Sequence, residues 1–176
     1  MAAASARIEI VRADITTLDV DVIVNAANSR LIPGGGVDGA INKAAGPELG
    51  NAMMAIGRCP TGEAVITPGF GLKAKRVIHT VAPVYAQHPQ NKVWQLLANC
   101  YRNSLALAQG SDARRIAFPS LGTGVYGIPI KKGCVVAIDE AKAHLARSET
   151  PAKIIFCCFS AGDAAIYHAE LERRNG

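Results

Sequence analysis

Six short apolar runs, each closed by glycine, proline or a polar turn residue, recur along the chain: RIEIVRA from Arg7, VDVIVNAA from Val20, AVITPGF from Ala64, RVIHTVAP from Arg76, RIAFPSL from Arg115 and KIIFCCFS from Lys153. Their valine and isoleucine content predicts β strands, and several lack polar alternation, the pattern of a strand buried on both faces. Between them apolar residues recur at helical spacing over Val37–Ala45, Glu48–Ile56, Lys92–Ala108, Lys131–Arg147 and Gly162–Arg173. Strand and helix therefore alternate, which implies helical crossovers and an α/β fold: a largely parallel sheet covered by helices on both faces. No repeat, linker or compositional break divides residues 1–176, so one domain is expected.

Composition narrows this reading. Hydrophobic residues make up 49% and charged residues 19%, enough apolar material for a core and too little charge for a disordered chain. No apolar run is long enough to cross a bilayer, and MAAASARIEI lacks the apolar stretch of a secretory signal. A soluble, cytoplasmic protein with no membrane partner is expected. Five cysteines without a C-x-x-C pair read as reduced, mostly buried thiols, with Cys157 and Cys158 on opposite faces of a strand. The four histidines are scattered, so no metal site is expected. A net charge of +5 favours an anionic partner, yet the basic residues are dispersed in doublets and aromatics are only 5%, which disfavours nucleic acid.

Two loops stand out. NAANSRLIPGGGVDG follows the second predicted strand and SLGTGVYG follows the fifth, each leading into a predicted helix. In open α/β sheets ligands bind at the carboxyl ends of strands, and glycine-rich backbone ahead of a helix presents N–H groups to phosphate. A diphosphate held between the two loops is the simplest chemical reading; tight turns without a ligand are the alternative. Neither loop supplies the Lys-Ser or Lys-Thr of a Walker A motif. G-T-G-V-Y-G matches a dinucleotide fingerprint only formally, because Pro129 stands where that helix would already be running.

The ordered segments A-D-I-T (Ala13–Thr16), V-N-A-A-N (Val24–Asn28), G-G-G-V-D-G-A-I (Gly34–Ile41), C-P-T-G-E-A (Cys59–Ala64), V-I-H-T-V (Val77–Val81) and T-G-V-Y-G-I-P (Thr123–Pro129) resemble the macrodomain family. The likeness is to its MacroD-type branch, near bacterial O-acetyl-ADP-ribose deacetylases, and spans nearly the whole chain. It implies a three-layer α/β/α sandwich around a mixed, mostly parallel sheet, ADP-ribose as ligand, and no cofactor. By this resemblance Asp14 accepts from the adenine amino group beside the Ile15 backbone, and Phe159 stacks on the base. Gly122, Thr123, Gly124 and Val125 offer N–H groups to the diphosphate, Tyr126 packs by the distal ribose, and Gly34, Gly35, Gly36 and Val37 close over that ribose. Asn28 and Asp38 are the implied catalytic pair, Asn28 holding the distal ribose or the bound group and Asp38 aligning the attacking water. A ligand phosphate shares the role of base.

Several of these residues have plainer readings. Asp38 opens a predicted helix and suits its dipole, Asp14 can cap a turn, Phe159 can be core, and Asn25 reads as a loop-shaping residue. The chain also departs from the family pattern: Ala13 for a glycine, Pro33 for the first of four glycines, Asn42 where many relatives have histidine, Leu121-Gly122 for Ile-Ser, and a shorter stretch over 51–58. Two functions follow from the resemblance. One is a metal-independent hydrolase acting on O-acetyl-ADP-ribose and on mono-ADP-ribosylated proteins; the other is a reader module that binds ADP-ribose without turnover. Retention of Asn28, the glycines and Asp38 favours the hydrolase.

Overall fold

The structure, a computed structural model, describes residues 3–175. Six strands, β1 (Ile8–Arg12), β2 (Val22–Ala26), β3 (Ala64–Pro68), β4 (Arg76–Thr80), β5 (Arg115–Phe118) and β6 (Lys153–Cys158), form one sheet in the order β1-β6-β5-β2-β4-β3. All pairings are parallel except β3 with β4. That exception has a plain cause: the link between them, residues 69–75, is far shorter than the dozen or so residues a parallel crossover needs. The sheet is the mixed, mostly parallel one expected.

Helices α1 (Gly36–Ala45) and α2 (Pro47–Ile56) cover one face; α3 (Gln90–Gly110), α4 (Ile130–Arg147) and α5 (Ala161–Asn175) cover the other. Alternate strand residues feed the two layers. Val22 and Val24 of β2 pack with Tyr101, Phe118 and Phe156, while Ile23 between them packs with Ile41, Leu49 and Met53. Each such aliphatic side chain, taken fully from water, contributes about 1.5–3 kcal/mol. Cys157 and Cys158 face opposite layers as expected; all five cysteines are free and buried. Burial pushes the Cys59, Cys100 and Cys157 thiols up to about 11 and Cys158 to about 12.

Every predicted helix and strand is present, with helix ends shifted by at most two residues. Short single-turn helices at Ala4–Arg7, Ile15–Thr17 and Tyr85–Gln87 were not anticipated, because three or four residues are too few to show a period. The first of them buries Arg7, whose guanidinium donates to the carbonyls of Leu145, Ser148, Pro151 and Ala152 and so ties the chain start to the end of α4. On the three-helix side an aromatic cluster joins Tyr101 to Phe118 (ring centroids 5.1 Å apart) and Phe156 to Tyr167 (5.3 Å). Both tyrosine hydroxyls reach out of this cluster to the loop after β5.

Candidate functional site

Because β1, β6, β5 and β2 run the same way and are neighbours in that order, their carboxyl ends line one edge of the sheet. At a strand spacing of about 4.8 Å, four ends span roughly 15 Å. The residues expected to bind or react fall on these ends: Asp14 after β1, Phe159 after β6, 122–126 after β5, and Asn28 with 34–38 after β2.

Asp14 sits where Ala13 N–H donates to the Cys158 carbonyl (3.1 Å), which fastens the end of β1 to that of β6. Its Oδ1 accepts from Thr16 N–H (2.9 Å) and from the Thr16 hydroxyl (2.7 Å), so the turn-capping role is real. Asp14 is nonetheless exposed, and its Oδ2 has no partner among the described residues. The Ile15 side chain is buried beneath it. Phe159, one residue past the Arg12–Cys158 register pair, is 84% exposed, so it is not a core residue; an aromatic face stands in solvent beside Asp14.

The loop after β5 is held from below by buried tyrosines. Leu121 N–H donates to the Tyr101 hydroxyl (3.2 Å), and the Tyr167 hydroxyl donates to Ser120 Oγ (3.0 Å). Burial pushes both phenols well above their ordinary value, which keeps them neutral. The loop is closed from within by Ile128 N–H to the Gly122 carbonyl (2.9 Å) and Gly127 N–H to the Gly124 carbonyl (3.0 Å). Gly122 suits a left-handed backbone, with φ +77°, and a Cβ there would lie 2.4 Å from Ile128 Cδ1, so the tip of that side chain would have to move. Gly124 and Val125 are exposed and Tyr126 is half-buried; the N–H groups of these three have no acceptor among the described residues. Thr123 turns its hydroxyl inward onto the Ser120 carbonyl (3.1 Å).

The loop after β2 is organised by Asn28 and Asp38. Asn28 Nδ2 donates to the Ile32 carbonyl (2.7 Å), and its Oδ1 accepts from Ile32 N–H (3.3 Å), closing a turn ahead of the glycines. Asp38, the third residue of α1, is 4% exposed. Its Oδ2 accepts from Gly34 N–H (2.7 Å), and its Oδ1 from Asn25 Nδ2 (2.7 Å) and Asn42 Nδ2 (3.0 Å). A Cβ on Gly34 would lie 3.3 Å from Asp38 Oδ2 and 3.6 Å from Asn28 Nδ2. The space between that amide and that carboxylate is open because residue 34 has no side chain. Gly36, with φ +60°, turns the chain into α1, whereas Gly35 and Val37 lie beside it, exposed and half-buried.

Asn25 does not shape the loop, contrary to expectation. It lies inside β2, fully buried, and its Nδ2 bridges Asp38 to His79 Nδ1 (3.0 Å) on β4. An amide facing a carboxylate must present its NH2, so Nδ2 also donates to His79 Nδ1. The ring then carries its proton on Nε2 and donates to Thr67 Oγ1 (2.8 Å) on β3. The Asn25 oxygen is left without a partner among the described residues. Burial pushes His79 down to about 4, so the ring is neutral near pH 7. A polar chain Thr67–His79–Asn25–Asp38 thus crosses three strands into the glycine loop. The one signal of it in the sequence was a polar residue inside each of three apolar strands, Asn25, Thr67 and His79. Asn42, noted only as a departure from the family pattern, is part of the same network. Among the described residues no three His, Cys, Asp or Glu side chains gather to hold a metal.

The chain is similar to known proteins in both sequence and fold. Residues 24–137 match the Macro domain family. A Macro domain-containing protein of Ralstonia nicotianae is 54% identical over 160 residues, 91% of each chain. A protein of Escherichia fergusonii named O-acetyl-ADP-ribose deacetylase is 46% identical over 172 residues, covering 96% of this chain and 97% of its own. Among solved structures, a variant of the Oceanobacillus iheyensis macrodomain with ADPR superposes with a TM-score of 0.90 at 42% identity, over 96% of this chain and 93% of that one. The Trypanosoma brucei macrodomain in complex with ADP-ribose gives 0.86 at 37% identity, over 97% and 69%.

Proposed function

This chain belongs to the Macro domain family, and from that premise we propose that it binds ADP-ribose along the carboxyl edge of its sheet and hydrolyses esters at the distal ribose. Its substrates are O-acetyl-ADP-ribose and proteins carrying single ADP-ribosyl groups on acidic side chains. The observation that carries the proposal is the order of parts along the edge. An exposed aromatic beside a carboxylate (Phe159, Asp14), a loop of N–H groups without acceptors (124–126), and an amide facing a carboxylate across an open glycine (Asn28, Asp38) follow one another. Adenine, diphosphate and distal ribose follow one another in the same sequence in ADP-ribose. The deacetylase name of the Escherichia fergusonii relative and the ADPR in the Oceanobacillus iheyensis structure support both halves of the proposal.

In this reading Asn28 Nδ2 and Asp38 Oδ2 flank the distal ribose ester above Gly34. Water attacks the ester carbonyl, the bond from that carbon to the ribose oxygen breaks, and the proton lost by water ends on the ribose hydroxyl. Asp38 already accepts three hydrogen bonds, which fix the direction of its oxygens and suit it to aligning the water. A phosphate oxygen of the ligand takes the proton in transit. The same saturation of Asp38 is the observation that favours a reader without turnover, so the deciding experiment must follow product. Purified protein incubated with O-acetyl-ADP-ribose, and separately with a mono-ADP-ribosylated acceptor, should release acetate and free ADP-ribose, with or without a chelator. Saturable ADP-ribose binding with no release from either substrate would establish the reader instead.

A further inference from the structure

Next to the distal-ribose end of this edge the surface dips into a cavity of about 480 Å³ lined by Ser29, Arg30, Ile32, Met54, Gly57 and Arg58. It is built from two fastened segments. Cys59 N–H donates to the Ser29 carbonyl (2.9 Å), which holds the turn after α2 against the loop after β2, and Ile32 is bound through both its backbone groups to the Asn28 side chain. The cavity wall is thus continuous with the residue assigned to the distal ribose. Its chemistry is lopsided. Arg30 and Arg58 are exposed and form no ion pair among the described residues, and no carboxylate lines the cavity. Ile32 is 43% exposed and Met54 49%, an apolar strip beside two unpaired cations.

Resting on the reading of ADP-ribose and its protein conjugates as ligands given above, we infer that this cavity docks the acceptor polypeptide, as a segment with acidic side chains around the ADP-ribosylated residue. An acceptor leaves the site from the distal ribose, so its chain must pass over the residues that border Asn28. Carboxylates of that chain meet Arg30 and Arg58, and its aliphatic atoms cover Ile32 and Met54. A nucleic acid would suit the two arginines, but the cavity offers no aromatic face for a base. O-acetyl-ADP-ribose ends at its acetyl group and makes no use of the cavity, so the two substrate classes differ here.

The test uses two peptides that carry ADP-ribose through a non-hydrolysable linkage, one flanked by glutamates and the other by glutamines, with free ADP-ribose as the reference. Wild type should bind the glutamate peptide roughly three- to tenfold more tightly than the glutamine peptide at low ionic strength, the preference fading at high salt. In the double variant Arg30→Glu/Arg58→Glu the preference should reverse, and in Arg30→Gln/Arg58→Gln it should vanish, with the affinity for free ADP-ribose and the melting temperature unchanged. Equal binding of the two peptides by wild type, a preference that survives both variants, or displacement by a single-stranded oligoribonucleotide but not by the unmodified acidic peptide would each overturn the inference. Loss of binding to every ligand, free ADP-ribose included, would instead overturn the ADP-ribose reading on which it rests.

Discussion

Replacing Asp38 by alanine separates a network role from a simple helix-dipole role. The carboxylate takes three N–H donors at 2.7, 2.7 and 3.0 Å while 4% exposed. A hydrogen bond to a charged group is worth about 1.5–3 kcal/mol, so the gross loss is about 5–9 kcal/mol. Two things reduce it: the buried charge itself disappears, and Asn25 and Asn42 keep second acceptors in His79 and the residue-38 carbonyl. What remains is the cost of neutral donors left short of an acceptor, about 1–3 kcal/mol for each buried group, so a loss of about 2–4 kcal/mol is expected. An exposed first-turn aspartate would cost about 1 kcal/mol or less. Urea unfolding followed by Trp94 fluorescence reads the difference directly. Turnover of O-acetyl-ADP-ribose should fall by about 10²–10⁴-fold in the folded fraction. Asp38→Asn keeps an oxygen for two of the three donors, so it should unfold less easily than the alanine variant yet turn over as slowly. A stability loss near 1 kcal/mol in Asp38→Ala would refute the network argument, and near-normal turnover in Asp38→Asn would refute the role of the carboxylate.

Gly34→Ala places a methyl group between Asn28 and Asp38, with Cβ 3.3 Å from the carboxylate oxygen; it should slow turnover roughly tenfold or more by displacing the reacting groups, with a smaller change in ADP-ribose affinity by calorimetry. Tyr101→Phe strands the buried Leu121 N–H and should cost about 1–3 kcal/mol in urea unfolding and weaken ADP-ribose binding, whereas Tyr167→Phe should cost less because half-buried Ser120 can turn to water. His79, held near 4 against an ordinary 6.5, binds its proton more readily in the unfolded chain. Its stabilising contribution is therefore complete above about pH 6.5 and is lost as pH falls through about 4, roughly 3 kcal/mol in all. Unfolding midpoints from pH 7 to 4 should fall more steeply for wild type than for His79→Gln; parallel curves would contradict the assignment.

The sheet and its helices were legible because period and turn chemistry are local. Val22–Val24 and Lys153–Cys158 announce buried strands by composition alone, and apolar spacing over Glu48–Ile56 and Lys131–Arg147 marks α2 and α4 without reference to anything distant. The glycine loops were legible as loops, but the reason for each glycine was not. Gly122 and Gly36 serve a left-handed backbone, while Gly34 is tied to an open space beside Asp38. The network behind Asp38 was hidden because it depends on register. Asn25 faces His79 across β2 and β4, and His79 faces β3, pairings among residues 12 and 54 positions apart that no single-sequence pattern encodes. Phe159 was ambiguous for another reason: an aromatic residue at a strand end suits either core or stacking, and its place one residue past the sheet exposes it and removes the core reading.

The pairing of β1 with β6 also bears on how the protein is made. Ile8–Arg12 is synthesised before every other strand of the sheet, yet its one partner strand among the described residues, Lys153–Cys158, is the sixth of the six. Until Lys153–Cys158 follows, the β1 edge that will face it presents unpaired N–H and C=O groups, while β2, β3 and β4, joined by shorter connections, can assemble behind it. The closing contact has the longest loop of any in the sheet, so it is slow to form and lies late on the folding path. Asp14 and Phe159 stand at the end of that contact, on either side of the last pair to close. A nascent chain arrested before residue 153 should therefore leave β1 open to protease and fail to hold adenine, and ligand added during refolding should speed none of the steps before β6 docks.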